Sequence, residues 1–585
     1  MRLILVPKKK AMSLIPQIDG IICYYLNDDY AYFLELKKNL GQNVEIRTLS
    51  GIFDKTFQEI KEPFLELISN LNKKHNSFEW WGSEIASRNP AATTLLHNIT
   101  YLFSAKKILA NISEDIGFIL ESRALSDCIT TLAMKKGFQV LNYQSKTISF
   151  EIIKLWIIFG FRILSFLKEA VQRRESALKF LSPLPARKPP NKKRIILRSW
   201  FTESSFNKVE KYKDRNFGLL PEWLLSRNYE IWILPMFFNL SSSIEKVYKF
   251  MNDQEQQFIV PEHYLKLSDY FVLLYNNYNI HQIRIKNAQI GEIELTSLFN
   301  EVIKKNRFSI PPTFNLCNPM LKRLKEKGFE IDGFYYSFEN NTPEKQFILS
   351  CRKYFHDSKL IAFQHTTFFP NQLAYHLGHG EAEFHPLPDK IVCSGPIYAE
   401  LLEKSGFPNK ILVSSGPNLR FGAVHEDVAI NRIQLCNSKK ALILPFTFGH
   451  DLAYELLLKV KETIEDSNDY QVYIRSHPLL SKNKLITFLE KIGFTDYDFA
   501  DDGIIQEWLP QMHAMILTGC SITTLEAVVM GVPVIRLVPD NTFSYDSFAG
   551  ADYPLEPVNT VTEIKKQLQI IDHLLVQDSD TFTKI

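Results

Sequence analysis

Met515–Leu537, MILTGCSITTLEAVVMGVPVIRL, spells a strand, a turn, a helix and a second strand. The apolar run Met515–Thr518 stops at Gly519 and gives way to Ser521, Thr523 and Thr524, which suit a helix start. The helix is predicted to end at Gly531, and Pro533–Leu537 reads as the next buried strand. Hydroxyls at a helix start satisfy backbone N–H groups that lack a partner within the helix. Those N–H groups and the helix dipole also form an anion site. An ordinary capped helix in a βαβ unit is the competing reading of this stretch alone. Upstream, Tyr473–Leu480 (YIRSHPLL) closes a strand predicted over Tyr470–Arg475. Its Arg-x-His-Pro end brings the cation of Arg475 and the imidazole of His477 to the carboxyl edge of a parallel sheet, where ligands bind in such folds.

The same alternation extends toward the N-terminus. One α/β unit, residues 421–585, has its regular part from Ala441–Pro445 to about residue 575. A second, residues 195–420, begins at Ile195–Ser199, with strands at Tyr229–Pro235, Gly333–Phe338, Leu360–Phe363 and Lys390–Cys393 and a mainly helical stretch, 241–330. Residues 1–146 form a further α/β domain with strands Leu3–Val6, Gly20–Tyr24, Val44–Thr48, Ile116–Leu120 and Phe138–Tyr143. Residues 147–194 hold an apolar helix and the Pro-rich basic segment Ser182–Arg194 (SPLPARKPPNKKR), expected to be extended, exposed and mobile. Its cations, Arg187, Lys188, Lys192, Lys193 and Arg194, read as solvated or as touching anionic lipid. The expected class is α/β: two Rossmann-like units facing a cleft, plus the N-terminal domain.

Composition removes several functions. A chain of 585 residues with net charge +3 has room for about three domains and no global electrostatic case for nucleic acid. Seven cysteines, odd in number and without C-x-x-C spacing, point to a reducing cytoplasm. The N-terminal MRLILVPKKKAM has too short an apolar run for a secretory signal. In Ile148–Val171 the charges of Glu151, Lys154, Arg162, Lys168 and Glu169 leave fewer than the ~20 apolar residues a bilayer span needs. At about 100° per residue the charges share one arc, opposite Ile152, Leu155, Trp156, Phe159, Ile163, Phe166 and Leu167. This helix packs on its own protein or lies in a membrane interface with Trp156 and Phe159 at the headgroup boundary. No P-loop, G-x-S-x-G elbow or kinase set is present.

The order strand, R-x-H-P, acidic segment, T-G-x-S-x-x-x-x-E-A and G-x-P-V-I resembles the C-terminal domain of GT-B glycosyltransferases of bacterial surface polysaccharides. It is most similar to Kdo transferases and bacterial sialyltransferases, which use CMP-activated acidic sugars. The resemblance implies that His477 with Ser521, Thr523 or Thr524 holds the donor phosphate, that Glu526 faces the ribose, and that no cofactor or bound metal is needed. The middle of the chain, from Ser199-Trp200 through Tyr212–Gly218 and Phe338–Pro343 to Gln364-His365-Thr366, is similar to an uncharacterised family of surface carbohydrate biosynthesis proteins. Sialyltransferases carry their acidic-acidic-Gly motif before the His-Pro motif, whereas Asp501-Asp502-Gly503 follows it here and reads as a helix start. CDP-glycerol polymerases share R-x-H-P, but follow it with T-D-x-S-S where this chain has Thr518-Gly519-Cys520-Ser521.

The expected activity is transfer of a sugar, a Kdo- or nonulosonate-like one favoured, from a nucleotide donor to a glycan or lipid-linked glycan acceptor. The expected setting is the cytoplasm, with the inner face of an anionic membrane as an open peripheral site. A nucleotide-sugar epimerase of the same fold, a CDP-polyol phosphotransferase and a non-catalytic assembly factor are the alternatives. In a GT-B layout the general base comes from 195–420; Glu339 and His365, each just after a predicted strand, are the first candidates, and Asp214 and Glu203 the weaker ones. His450, in the turn Phe448-Gly449-His450-Asp451, is a further donor-side candidate beside a helix cap by Asp451. His376, His379, Glu381 and His385 match no zinc spacing and read as an acceptor loop.

Overall fold

The computed structural model describes Met1 to Gln577 apart from residues 16–19, 41–43, 145–148, 190, 207–210, 239, 312, 409–411, 420–438, 448, 478–479, 520, 547 and 549–550. Three all-parallel sheets organise it. The first holds β1 (Arg2–Pro7), β2 (Ile22–Leu26), β3 (Glu45–Arg47), β4 (Ile116–Leu120) and β5 (Gln139–Asn142) in the order β3-β2-β4-β1-β5. The second holds β6 (Lys193–Phe201), β7 (Tyr229–Phe237), β8 (Gln257–Phe258), β11 (Gly333–Phe338), β12 (Lys359–Gln364), β13 (Lys390–Ser394) and β14 (Leu412–Gly416), ordered β14-β13-β12-β11-β6-β7-β8. A two-stranded hairpin, β9 (Gln289–Ile290) and β10 (Ile293–Glu294), intervenes in the chain. The third sheet holds β15 (Lys440–Pro445), β16 (Tyr470–Arg475), β17 (Tyr497–Phe499), β18 (Ala514–Thr518) and β19 (Val534–Leu537), ordered β17-β16-β15-β18-β19.

Counted along the chain, the second and third sheets both have Rossmann order, in which the chain starts in the middle, winds outward one way and then the other. Each therefore has a crevice at its switch point, between β6 and β11 and between β15 and β18. Two Rossmann-ordered units are the composition expected of a GT-B protein. Burial on both faces explains the strands' near-continuous apolar runs, as in β18, where all of Ala514–Thr518 are buried.

The helices used below are α1 (Tyr30–Leu40), α2 (Phe53–His75), α3 (Ser149–Phe180), α4 (Leu267–Ile280), α5 (Thr296–Asn306), α6 (Thr342–Tyr354), α7 (His450–Ile464) and α8 (Thr523–Val529). The N-terminal unit is docked on both others rather than standing apart. Asn541 donates to the carbonyls of Tyr25 and Asn27 at 3.0 and 2.9 Å and accepts from Leu49 N–H at 2.7 Å. Toward the second sheet, buried Arg88 pairs with buried Glu381.

Three expectations change. Within the expected unit 195–420, Ile285 to Ile303, which includes α5, contributes to the core of the N-terminal unit. The basic segment is anchored at its end: Arg194 is fully buried, paired with Glu230 at 2.8 Å and stacked 3.9 Å over Trp232, while Lys188 pairs with Asp332 at 2.8 Å. The apolar helix runs on to Phe180. It buries Phe159 and Phe166 but leaves Leu155 and Trp156 exposed, so the protein covers only part of the expected apolar arc. No helix among the described residues is long and apolar enough to cross a membrane.

Candidate active site at two switch-point crevices

At the β6/β11 crevice, Glu339 follows β11 and His365 follows β12, and the sheet brings them together: His365 Nε2 lies 3.3 Å from Glu339 Oε1. The Glu339 side chain is 22% exposed and His365 is buried. Its Nδ1 has no partner among the described residues. Burial pushes the Glu339 carboxyl up, but hydrogen bonds and charge from His365, with Asn341 and Trp200, outweigh it and hold Glu339 below the ordinary carboxylate value.

The loop that carries Glu339 is fixed from several sides. Glu344, at the start of α6, accepts from the N–H groups of Glu339 and Asn340 at 2.9 Å each. Asn340 adopts φ 53°, a left-handed conformation that Asn tolerates through its short polar side chain. Asn341 donates to Glu339 Oε2 at 2.9 Å and accepts from Asn89 of the N-terminal unit at 3.2 Å. A carboxylate held low in pKa and locked to an imidazole is a poor proton acceptor and a good orienting partner.

Asp214 does not join this pair. It is buried and accepts from Tyr212 Oη at 2.8 Å and from the N–H groups of Asn216 and Phe217 at 2.9 and 3.0 Å, so its work is to hold the turn after β6. Glu203 likewise accepts from the Ser241 and Ser242 backbone.

At the β15/β18 crevice, Gly519 has φ +81°, and a Cβ there would lie 2.9 Å from Thr447 Oγ1, so only glycine fits this close approach. Thr447, just after β15, and Thr518, ending β18, are both 4% exposed, and neither hydroxyl oxygen has a partner among the described residues. Beyond them Ser521 donates to Thr523 Oγ1 at 2.9 Å, and Thr524 Oγ1 donates to the Ser521 carbonyl. Helix α8 has only seven residues, so side chains rather than a long dipole define the anion-binding potential. Glu526 accepts from Gln506 at 2.9 Å, and His450 Nε2 accepts from Ser481 N–H at 3.3 Å. Burial pushes the His477 imidazole below its ordinary value, making it a neutral hydrogen-bonding group at neutral pH.

Arg475 differs from its expected role. Its guanidinium donates to the carbonyls of Ala500, Asp502 and Gly503, the last at 2.7 Å. These bonds anchor it to the loop after β17 and use three of its five N–H donors. Of the His/Glu run, Glu381 and His385 are fully engaged in the buried Arg88 cluster. No group of three or more His, Cys, Asp and Glu is arranged to hold a metal ion among the described residues.

The units that carry the two crevices touch. The loop after β12 meets the C-terminal unit through Phe369 and Tyr545, ring centroids 6.4 Å apart, and through Asn371 donating to the Ser544 carbonyl at 2.8 Å. Tyr545 also borders a cavity of about 460 Å³, lined by Thr94 and His97 from the N-terminal unit and by Gly449 and Leu452 from the unit of the third sheet. Sequence reasoning missed Thr447. The available signal was a hydroxyl directly after an apolar strand, in a turn already singled out for Gly449. The contribution of residues 89–97 had no local signal.

No family model and no curated protein matches the chain. Among solved structures, the chain is similar to a UDP-GlcNAc 2-epimerase from Neisseria meningitidis bound to UDP-GlcNAc, with 9% identity over 67% of this chain and 94% of that one and a TM-score of 0.37. It is also similar to a glycosyltransferase from Rickettsia africae, with 14% identity over 68% and 91% and a TM-score of 0.37. A third is CalG4, the calicheamicin glycosyltransferase, with 9% identity over 67% and 94% and a TM-score of 0.37.

Proposed function

We propose that this chain is a GT-B glycosyltransferase that moves a sugar from a nucleotide donor to an acceptor hydroxyl. A CMP-activated acidic sugar and a surface glycan acceptor are favoured by the R-x-H-P and T-G-x-S pattern. The observation that carries the reading is the division of chemistry between two crevices on units that touch. One offers a Glu339–His365 pair at 3.3 Å; the other offers two buried, unpartnered hydroxyls beside a tight glycine. His365 takes the proton of the acceptor hydroxyl, with Glu339 orienting the ring and stabilising its cation. The acceptor oxygen bonds to the anomeric carbon while the bond from that carbon to the donor phosphate oxygen breaks. The electron pair stays on the phosphate, where Thr447, Thr518, His477 and Thr523 donate hydrogen bonds, the Ser521 and Thr524 hydroxyls holding the turn. Arg475 positions the neighbouring loop.

Calorimetric titration with CMP, CDP, UDP and GDP, repeated on His477→Ala and Thr447→Val, tests the donor site. Each replacement is expected to weaken the best ligand by roughly 1.5–3 kcal/mol, typical of a lost hydrogen bond to a charged group. Equal affinity in all three proteins removes the donor assignment. Incubation of the donor sugar without acceptor separates transfer from epimerisation, because an epimerase alters its substrate unaided.

A further inference from the structure

Helix α3 is apolar over a wider arc than its own protein covers. Phe159, Phe166, Ala170 and Ala177 face inward and are buried. On the adjoining arc Trp156, Ile157, Phe161 and Leu164 stand 46%, 56%, 70% and 66% exposed. Helix α4 repeats the pattern, burying Tyr270 while Phe271 and Tyr275 stand 56% and 65% exposed.

The two helices run antiparallel, because Trp156 meets Tyr278 at 6.2 Å and Phe166 meets Tyr270 at 5.8 Å. At about 100° per residue, Trp156, Leu164 and Ile157 follow one another round α3 from the contact line. Phe271 and Tyr275 do the same round α4. In an antiparallel pair, turning in the same helical sense from the shared contact brings both arcs to the same side. The exposed residues therefore make one apolar face rather than two. Exposed Lys154, Lys168 and Lys179 lie on the same arc of α3 before and after these apolar residues along the helix, with Glu175 among them.

Contiguous apolar faces of this kind mark docking surfaces. We propose that the α3/α4 face lies on a membrane containing anionic lipid, its aromatic and aliphatic side chains in the headgroup boundary and its lysines against lipid phosphates. Apolar area plus cationic rim is the combination an interfacial helix uses, and the absence of a spanning helix among the described residues agrees with a protein that rests on the bilayer. The face is independent of the transfer reading, since none of its residues lies in either crevice.

The test uses the full chain with vesicles of phosphatidylcholine alone or with about one-third phosphatidylglycerol, read by flotation and by Trp156 emission. The expected result at low salt is co-flotation with the anionic vesicles, a blue shift of emission, and release as salt rises and screens the lysines. The triple variant Phe161→Ser, Leu164→Ser, Phe271→Ser replaces only exposed side chains. It should keep the native unfolding midpoint and lose about tenfold or more in vesicle partitioning. Lys154→Glu with Lys168→Glu should remove the preference for anionic vesicles. No binding of the wild-type chain to anionic vesicles at low salt overturns the proposal, as does equal binding by the triple variant. Self-association that the triple variant abolishes, without vesicle binding, assigns the face to a second copy and also overturns it.

Discussion

Replacing Glu381 by Ala should be among the most destabilising single changes in this chain. The side chains of Arg88 and Glu381 are 1% and 0% exposed, so the pair has no water to fall back on. Glu381 Oε1 meets Arg88, Asn72 Nδ2 at 2.8 Å and His385 Nδ1 at 3.1 Å, while Oε2 accepts from Gly378 N–H at 2.9 Å. Truncation leaves the Arg88 cation buried without an anion, at a cost of about 3–5 kcal/mol. Against a typical total of ~5–15 kcal/mol, that is enough to undock or unfold the N-terminal unit. Arg88→Met with Glu381→Leu removes the charge mismatch and leaves only neutral groups short of partners, each costing about 1–3 kcal/mol. The double variant should therefore be more stable than Glu381→Ala alone. Trp80, which donates to Asn72 at 2.9 Å, and Trp81, 4.9 Å from His385, place fluorescent reporters beside the cluster. Urea unfolding followed by tryptophan emission gives the numbers. Burial pushes the Glu381 carboxyl up, but Arg88 and His385 outweigh it and hold the group well below the ordinary carboxylate range. Its stabilisation is thus complete above the unfolded pKa of about 4.3 and lost only as pH falls through the depressed folded value. A cost under about 1 kcal/mol for Glu381→Ala, or a double variant weaker than the single, refutes the buried-pair reasoning.

His365→Gln should cut turnover by about 10²–10⁴ while sparing nucleotide binding. Glu339→Gln should also slow transfer and shift the acidic limb of the pH–rate profile, and an unmoved profile with full turnover in both excludes the dyad. At the α1/α7 contact, Asp451 accepts from Tyr30 N–H at 3.0 Å, and burial with Asp29 and Asp28 pushes its carboxyl up to about 6. A raised carboxyl stabilises fully below its unfolded pKa of about 3.9 and loses that contribution as pH rises through 6. Asp451→Asn should accordingly gain on the wild type between those pH values, measured by hydrogen exchange of α1, and a pH-independent difference counts against it.

Much of the fold was legible because parallel strands buried on both faces are written as short apolar runs. Tyr470–Arg475 and Gly333–Phe338 match the structure residue for residue. The positions of Glu339 and His365 were legible for the same reason, since a residue directly after such a run must sit at the carboxyl edge. What those residues do there was not. That Arg475 meets three carbonyls depends on the loop after β17, and that Glu339 is held below the ordinary carboxylate value depends on His365 and Trp200 from other parts of the chain as well as on nearby Asn341. The placement of Ile285–Ile303 in the N-terminal core was hidden because apolar periodicity states that a face is buried and not which core receives it.

The N-terminal unit bears on how the site works. It is tied to the second sheet through Arg88 and Glu381 and to the third through Asn541, so opening the crevices by swinging those two sheets apart must break one set of buried contacts or the other. Each set involves polar groups whose loss of partner costs about 1–3 kcal/mol, and more for the ion pair. A hinge motion that carried either penalty would be populated rarely against a total stability of ~5–15 kcal/mol. The lower-cost motion keeps the three units docked and moves the loops between them, above all residues 365–371 and 544–545, whose described contacts include one aromatic pair and one hydrogen bond. Substrates are expected to enter and leave through those loops. Asn371→Ala, which removes the hydrogen bond without touching either crevice, should raise the rates of nucleotide association and release together while leaving their ratio nearly unchanged. Stopped-flow nucleotide binding measures both, and unchanged rates would return the gating role to the sheets.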